Sequence, residues 1–140
     1  MGNLCRSPMA AAVFHARVPA GRCTVVSSGL AAQPGRAIDP RAATVLHAHG
    51  LRPLAPVARL FDPAAVGPDD LVVAMQRRHL RALRALAPDA RARLHLLGRW
   101  MPSQEIDDPI AGTQEDFERT FALIERCVAE WCARDHRLSL

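Results

Sequence analysis

The stretch Gly2-Asn3-Leu4-Cys5-Arg6-Ser7-Pro8-Met9-Ala10 decides the reading of this 140-residue chain. A short loop with one glycine runs into an apolar, alanine-rich segment that reads as a helix over about 8–17. Ser7 suits the N-cap, and Pro8 suits the first helical position, where its missing N–H has no helical partner to lose. A loop of this kind at a helix N-terminus turns several backbone N–H groups toward one point, and the helix dipole adds positive potential there. Arg6 supplies a planar fork of donors that matches two oxygens of a phosphate. The loop lacks the Gly-Lys-Ser/Thr ending of a Walker motif. From this chemistry alone, an ordinary capped turn and a phosphate cradle are both open readings.

Moving outward, β runs alternate with helical stretches. Cys-Thr-Val-Val-Ser-Ser at 23–28 is rich in β-branched residues and predicts a strand. After a Gly/Pro loop, Asp39 caps and Pro40 starts a second helix with Ala42, Val45, Leu46 and His49 on one face and Gly50 at its end. The segment 51–69 is Pro-rich and irregular, with a turn after Asp62-Pro63. Asp-Leu-Val-Val-Ala-Met at 70–75 is a continuous apolar run, as in a parallel strand buried on both faces. A helix over 77–87 turns Leu80, Leu83 and Leu86 inward and stops at Pro88; a short strand follows at 93–97 and a loop at 98–112. In the last helix, about 114–134, Phe117, Phe121, Ile124, Val128 and Trp131 recur at spacings of 4, 3, 4 and 3, and Thr113 with Asp116 forms a capping box. The pattern predicts an α/β fold: a three-layer sandwich with a short parallel sheet flanked by helices, as one domain over 1–140.

Composition excludes several classes. Hydrophobic residues make up 49% and charged residues 23%, which is globular. No apolar run approaches the roughly 18 residues of a membrane span, and the N-terminus lacks the basic-then-apolar order of a signal peptide. A cytoplasmic address and no membrane partner are expected. All 18 basic residues are arginine, and Ala, Gly and Pro abound. GC-rich bacterial codons explain this more simply than a nucleic-acid surface, and with a net charge of +4 and interspersed acids no nucleic-acid partner is expected. The four cysteines, Cys5, Cys23, Cys127 and Cys132, form no Cys-x-x-Cys pair, and no His/Cys cluster has zinc spacing, so neither a metal nor another cofactor is expected. Cys23, Cys127 and Cys132 read as small core residues, the six histidines as surface or partly buried groups, and Trp100 as core.

The segment Gly-Asn-Leu-Cys-Arg-Ser-Pro-Met-Ala at 2–10 resembles the phosphate loop of the low molecular weight protein-tyrosine-phosphatase family, whose pattern is Cys, any residue, Gly-Asn, any residue, Cys-Arg-Ser-Pro, then a helix. The resemblance extends over nearly the whole chain. Val-Val-Ser-Ser-Gly-Leu at 25–30 falls where the family has a strand ending in Ser-Ala-Gly-Thr. The run from Asp39 resembles its second helix, 70–75 its third strand, and the run from Ile106 its Asp-Pro acid loop and last helix. The resemblance implies hydrolysis of phosphotyrosine or aryl phosphate monoesters through a cysteinyl-phosphate intermediate. It implies a phosphate-binding loop of Gly2, Asn3, Leu4, Cys5, Arg6 and Ser7. Within it Arg6 holds the phosphoryl oxygens, Ser7 supports the thiolate, and Asp108, followed by Pro109, is the general acid; Asp107 only flanks it. Phosphorylated protein, a small aryl phosphate, and inorganic phosphate or sulfate are the implied partners.

The family's nucleophilic Cys falls one residue before Met1, and its first strand falls earlier still. Cys5 matches the second loop cysteine, beside Arg6 and outside the Cys-x5-Arg spacing. The expectation is a start placed too late, at an internal Met; the alternative is a truncated, poorly stable product that binds phosphate without turnover. A related arsenate reductase is disfavoured, because no suitable cysteine pair follows the run at 70–75. Other family positions differ: Ala11 replaces a Glu, Pro56 a His that braces the loop Asn, Gln76 an Asp, and Ile110-Ala111 an aromatic pair. The last change removes stacking surface for a phenyl ring.

Overall fold

Three consecutive alanines, Ala10, Ala11 and Ala12, let helix α1 (Arg6–Arg17) approach its neighbours closely, and it is buried almost continuously from Arg6 to Phe14. The computed structural model describes residues 2–138, with the side chains of residues 90–92 outside the description. The helix begins two residues earlier than the sequence suggests. Its N-cap is Cys5, not Ser7, and no side chain caps it. The loop itself bends into the helix, so Arg6 and Ser7 already carry helical geometry.

The partner of α1 is the long helix α4 (Gln114–Arg134). Thr113 and Asp116 form the expected capping box, which starts α4 sharply. Its stripe Phe117, Phe121, Ile124, Val128 and Trp131 is buried, with Cys127 beside it. Each large apolar side chain buried here contributes about 1.5–3 kcal/mol relative to exposure. Helix α2 (Pro40–Ala48) packs on both, through Ala42, Val45 and Leu46. His49 is its C-cap and rests its ring 4.4 Å from that of Phe121.

The sheet is shorter than expected. Strand β1 (Val72–Ala74) pairs in parallel with β2 (Leu94–Leu96), in the register Val72–Leu94, Val73–His95, Ala74–Leu96. Helix α3 (Arg77–Leu86) connects them, followed by a 3-10 segment at Pro88–Arg93. Alternation assigns the two faces. Val72, Ala74, Leu94 and Leu96 join Leu80 and Leu83 of α3, while Val73 joins the larger core built on α1, α2 and α4. These are the three layers. Leu86, predicted inward, is 51% exposed. Strands of three residues give Leu80 and Leu83 a floor and leave Leu86 beyond it.

Residues 23–28 correct the sequence reading most. Among the described residues they join no ladder. Val26 is 65% exposed, and Cys23, expected in the core, is exposed too. Residues 23–28 and 71–74 both line a cleft of about 810 Å³ that also reaches the loop 2–7. Beyond 28 the chain is held by two isolated bridges, Gly29 with Leu60 and Ala37 with Val57.

Candidate active site

The phosphate-type loop is shaped by Asn3, which adopts a left-handed conformation at φ 58°. Asn tolerates that region better than most residues, because its short polar side chain bonds locally. Here both ends of the amide are engaged. Nδ2 donates to Ser27 Oγ at 3.1 Å, and Oδ1 accepts from the Arg59 N–H at 3.2 Å. With Pro56 in place of the family's bracing His, Ser27 and the 59 backbone provide this support. The next residue, Leu4, accepts on its carbonyl from the Asp39 N–H at 3.0 Å, which ties the loop to the start of α2.

Arg6 reaches from the loop to the end of β1 and the segment that carries Asp108. Its side chain is only 3% exposed, yet it keeps three acceptors. Nη1 donates to the Ile106 carbonyl at 2.6 Å and to Gln76 Oε1 at 2.9 Å, and Nη2 lies 3.4 Å from Asp108 Oδ2. A buried guanidinium is tolerable only when paired and hydrogen-bonded in this way. Burial pulls its pKa below the ordinary value, and the charge of Asp108 acts against that. The Ile106 carbonyl is in position because the Ile106 N–H donates to the Met75 carbonyl at 3.0 Å, folding the 98–112 segment back onto the end of β1. Acceptors at a strand's C-terminal end are where α/β folds place their ligand sites.

Asp108 sits in a turn of its own making. Its Oδ1 accepts from the Ile110 N–H at 3.1 Å and caps the 3-10 turn Pro109–Ala111. Pro109 suits the first position of that turn, and Oδ2 is left to face Arg6. The structure thus brings Asp108 to Arg6 across 102 positions of sequence.

The thiol of Cys5 is the wrong group for attack. It is buried, and burial pushes its pKa up to about 12, with Asp108 and Asp39 adding to the rise against Arg41 and Arg6. A protonated thiol is a poor nucleophile at neutral pH. Ser7 lies in the first turn of α1 and, like Gly2 to Arg6, lines the cleft.

Several site residues escaped the sequence reading. Gln76 stood out only as a departure, yet it accepts from both Arg6 and Arg78. Its place just after β1 was the available signal. Asp39, read as a helix cap, donates its N–H to the Leu4 carbonyl, and Arg41, not singled out in the sequence, donates to the Ile110 and Gly112 carbonyls. His79, read as one of several bland histidines, is 4% exposed, lines the cleft, and has an unpartnered Nε2. Nothing in the sequence marks it. Among the described residues no group of three or more His, Cys, Asp or Glu could hold a metal ion, and no helix is long and apolar enough to cross a membrane.

Comparison with known proteins places the chain and its fold. The family of low molecular weight phosphotyrosine protein phosphatases matches residues 1–138. The low molecular weight protein-tyrosine-phosphatase Wzb of Salmonella typhi is 37% identical over 131 residues, covering 94% of this chain and 87% of that protein. The crystal structure of the Escherichia coli tyrosine phosphatase Wzb in complex with sulphate superposes with a TM-score of 0.88 at 29% identity, covering 96% of this chain and 92% of the other. Vibrio vulnificus Wzb in complex with benzylphosphonate gives 0.88 at 29% identity, covering 96% and 93%.

Proposed function

Because the chain belongs to the low molecular weight phosphotyrosine protein phosphatase family, we propose that the Gly2–Ser7 loop binds the phosphoryl group of a phosphotyrosine protein or an aryl phosphate monoester. Amides of the loop and of the uncapped start of α1, together with Arg6, hold the phosphoryl oxygens. Inorganic phosphate and sulfate compete for the same donors, in keeping with the sulphate and benzylphosphonate complexes of the related Wzb proteins. The site works in the cytoplasm without a cofactor.

Turnover needs a thiolate one residue before Met1, on a strand that enters the loop through the cleft between residues 23–28 and β1. The thiolate attacks phosphorus, the P–O bond breaks, and its electron pair leaves on the phenolate, which takes a proton from Asp108. Water then attacks the cysteinyl phosphate, gives its proton to the Asp108 carboxylate, and returns the thiolate. The observation that carries this reading is the approach of Arg6 to Asp108 at 3.4 Å in the cleft lined by the loop. The Cys5 thiol at about 12 favours a second reading for a chain with no other thiol in the loop: phosphate binding without turnover.

Thermal melts with phosphate or vanadate test the common part. Ligand at 100 times its Kd adds about 2.7 kcal/mol of stability. Arg6→Lys, which keeps charge and loses the fork, should reduce the shift, and Arg6→Ala should remove it. A shift that survives both places the anion elsewhere.

A further inference from the structure

The N-terminus of α2 joins the two loops of the site. Asp39 donates its backbone N–H to the Leu4 carbonyl in the phosphate-type loop at 3.0 Å. Its carboxylate grips Arg41: Oδ1 accepts from the Arg41 backbone N–H at 2.9 Å and from Nε at 3.1 Å, and Oδ2 accepts from Nη2 at 2.9 Å. Arg41 then spans to the turn that follows Asp108. Nη1 donates to the Gly112 carbonyl at 2.7 Å and Nη2 to the Ile110 carbonyl at 2.8 Å. The guanidinium lies over the Phe117 ring, 4.4 Å from its centroid.

From this geometry we infer that Arg41 is a positioning residue for the general acid, with Asp39 as its link to the phosphate loop. The inference rests on the proposed roles of Arg6 and Asp108. The turn Pro109–Ala111 is capped by Asp108 itself, so fixing the turn fixes the direction of the carboxylate. Arg41 binds carbonyls on both sides of Ala111 and touches neither Asp108 nor the cleft. Only a planar fork can bond one carboxylate and two carbonyls at once while stacking on an aromatic ring; a lysine ammonium cannot. The Gln114 side chain, donating to the Arg41 carbonyl at 3.1 Å, holds the backbone from the α4 side. The loop that receives the phosphoryl group and the loop that carries the acid are therefore set against one reference, the first turn of α2.

The test uses this chain and two independent readouts. The first is amide hydrogen exchange in Arg41→Met, whose side chain still covers Phe117, and in Arg41→Lys. Exchange over 106–113 should accelerate about tenfold or more in both, while α1 and α4 keep their protection. Unchanged exchange at 106–113 overturns the inference, and so does a rise spread equally over all helices, which is what a merely structural role produces. The second readout is a double-mutant cycle on phosphate affinity at pH 7. Asp108→Asn removes a negative charge facing Arg6 and should tighten phosphate several-fold in the parent. In the Arg41→Met background the gain should shrink below twofold, because the carboxylate no longer points at the anion. An equal gain in both backgrounds overturns the inference. If phosphate does not bind the parent at all, the site reading fails by itself, and the exchange experiment still decides whether Arg41 fixes the acid loop.

Discussion

Arg6 donates from Nη1 to Oε1 of Gln76 at 2.9 Å, and the same oxygen accepts from Nε and Nη2 of Arg78 at 3.3 and 3.1 Å. Two cations thus share one uncharged acceptor beside the cleft. Arg78 is exposed, and its charge adds to the burial that lowers the Arg6 pKa. The site therefore carries more positive potential than one with an acid at position 76 would.

Gln76→Glu should separate stability from binding. A carboxylate there pairs with both guanidinium groups, and a charge-assisted bond exceeds a neutral one by about 1 kcal/mol. The melting temperature should rise by about 3 °C for that gain in a chain of this size. Phosphate affinity should fall by about 3- to 10-fold, since a negative charge now neighbours the anion (about 1.4 kcal/mol per tenfold). A calorimetric melt and a phosphate titration check the two halves. A variant that binds phosphate as tightly as the parent shows that position 76 does not set the potential of the loop.

Burial of His79 predicts a pH dependence of stability. Desolvation lowers its pKa from 6.5 to about 4, Arg6 and Arg78 push the same way, and Asp108 opposes them. The unfolded chain takes up the proton near pH 6.5, whereas the folded chain resists until about pH 4. Stability from this group is complete above pH 6.5 and is lost as pH falls toward 4, by at most about 1.4 kcal/mol per pH unit. His95, also lowered by burial, contributes in the same direction. Asp39 and Asp116 are held below the usual carboxylate range, by hydrogen bonds from Arg41 and from the Thr113 backbone respectively, so their loss comes only at more acid pH. Melts from pH 4.5 to 7.5 should show a slope that His79→Gln reduces and does not abolish. An identical slope in the variant assigns the effect to other groups.

The candidate residues of the site were easier to pick out in the sequence than the contacts that support them. Arg6 and Asp108 stand in motifs whose spacing to proline and helix start is local, and the structure brings them to 3.4 Å. The α4 stripe and its capping box were legible because both depend on neighbours three and four residues away. Ser7 misled, because the left-handed Asn3 and the turn at Cys5 begin the helix early, and a propensity rule for caps does not see loop geometry. Residues 23–28 misled for a different reason. β-branched residues favour an extended chain, but a strand also requires a partner, and pairing is not written in the segment itself. Gln76 and Arg41 act across about 70 positions, and Asp39 reaches back to the Leu4 carbonyl, through bonds that only the tertiary fold creates.

Gly98 should resist substitution. A Cβ there would lie 2.7 Å from the Gln104 carbonyl oxygen, a backbone atom that cannot swing away. Gln104 is itself in the left-handed region at φ 61°, and Ile106 follows with the carbonyl that anchors Arg6. Gly98→Ala should cost about 1–3 kcal/mol, typical of overpacking. It should also weaken phosphate binding, because the 98–106 segment must shift. Equilibrium denaturation and phosphate titration of the variant measure both; unchanged values in each would show that the segment absorbs the methyl group without moving Ile106.

The acid assignment can be tested on a form that carries an added N-terminal strand, apolar and β-branched, ending in Cys one residue before Met1. Among the described residues 23–28 join no ladder and β1 pairs only with β2, so an added strand between them should raise the melting temperature. The Cys enters the loop beside Gly2, and hydrolysis of p-nitrophenyl phosphate should appear. A polypeptide made to begin at Met1 should show no turnover above background, because its one loop thiol is the buried Cys5, pushed up to about 12. In the extended form Asp108→Asn should lower kcat on phenyl phosphate by about 10²–10⁴, the usual worth of general acid catalysis. The loss should be smaller on p-nitrophenyl phosphate, because nitrophenolate is stable enough to leave with less proton transfer. That contrast is the decisive part, since a general loss of folding would reduce both rates alike. If Asp107→Asn reproduces the contrast and Asp108→Asn does not, the acid lies one residue earlier. If neither does, the turn at Pro109–Ala111 does not close on the substrate, and the missing aromatic pair at Ile110 and Ala111 becomes the feature to restore.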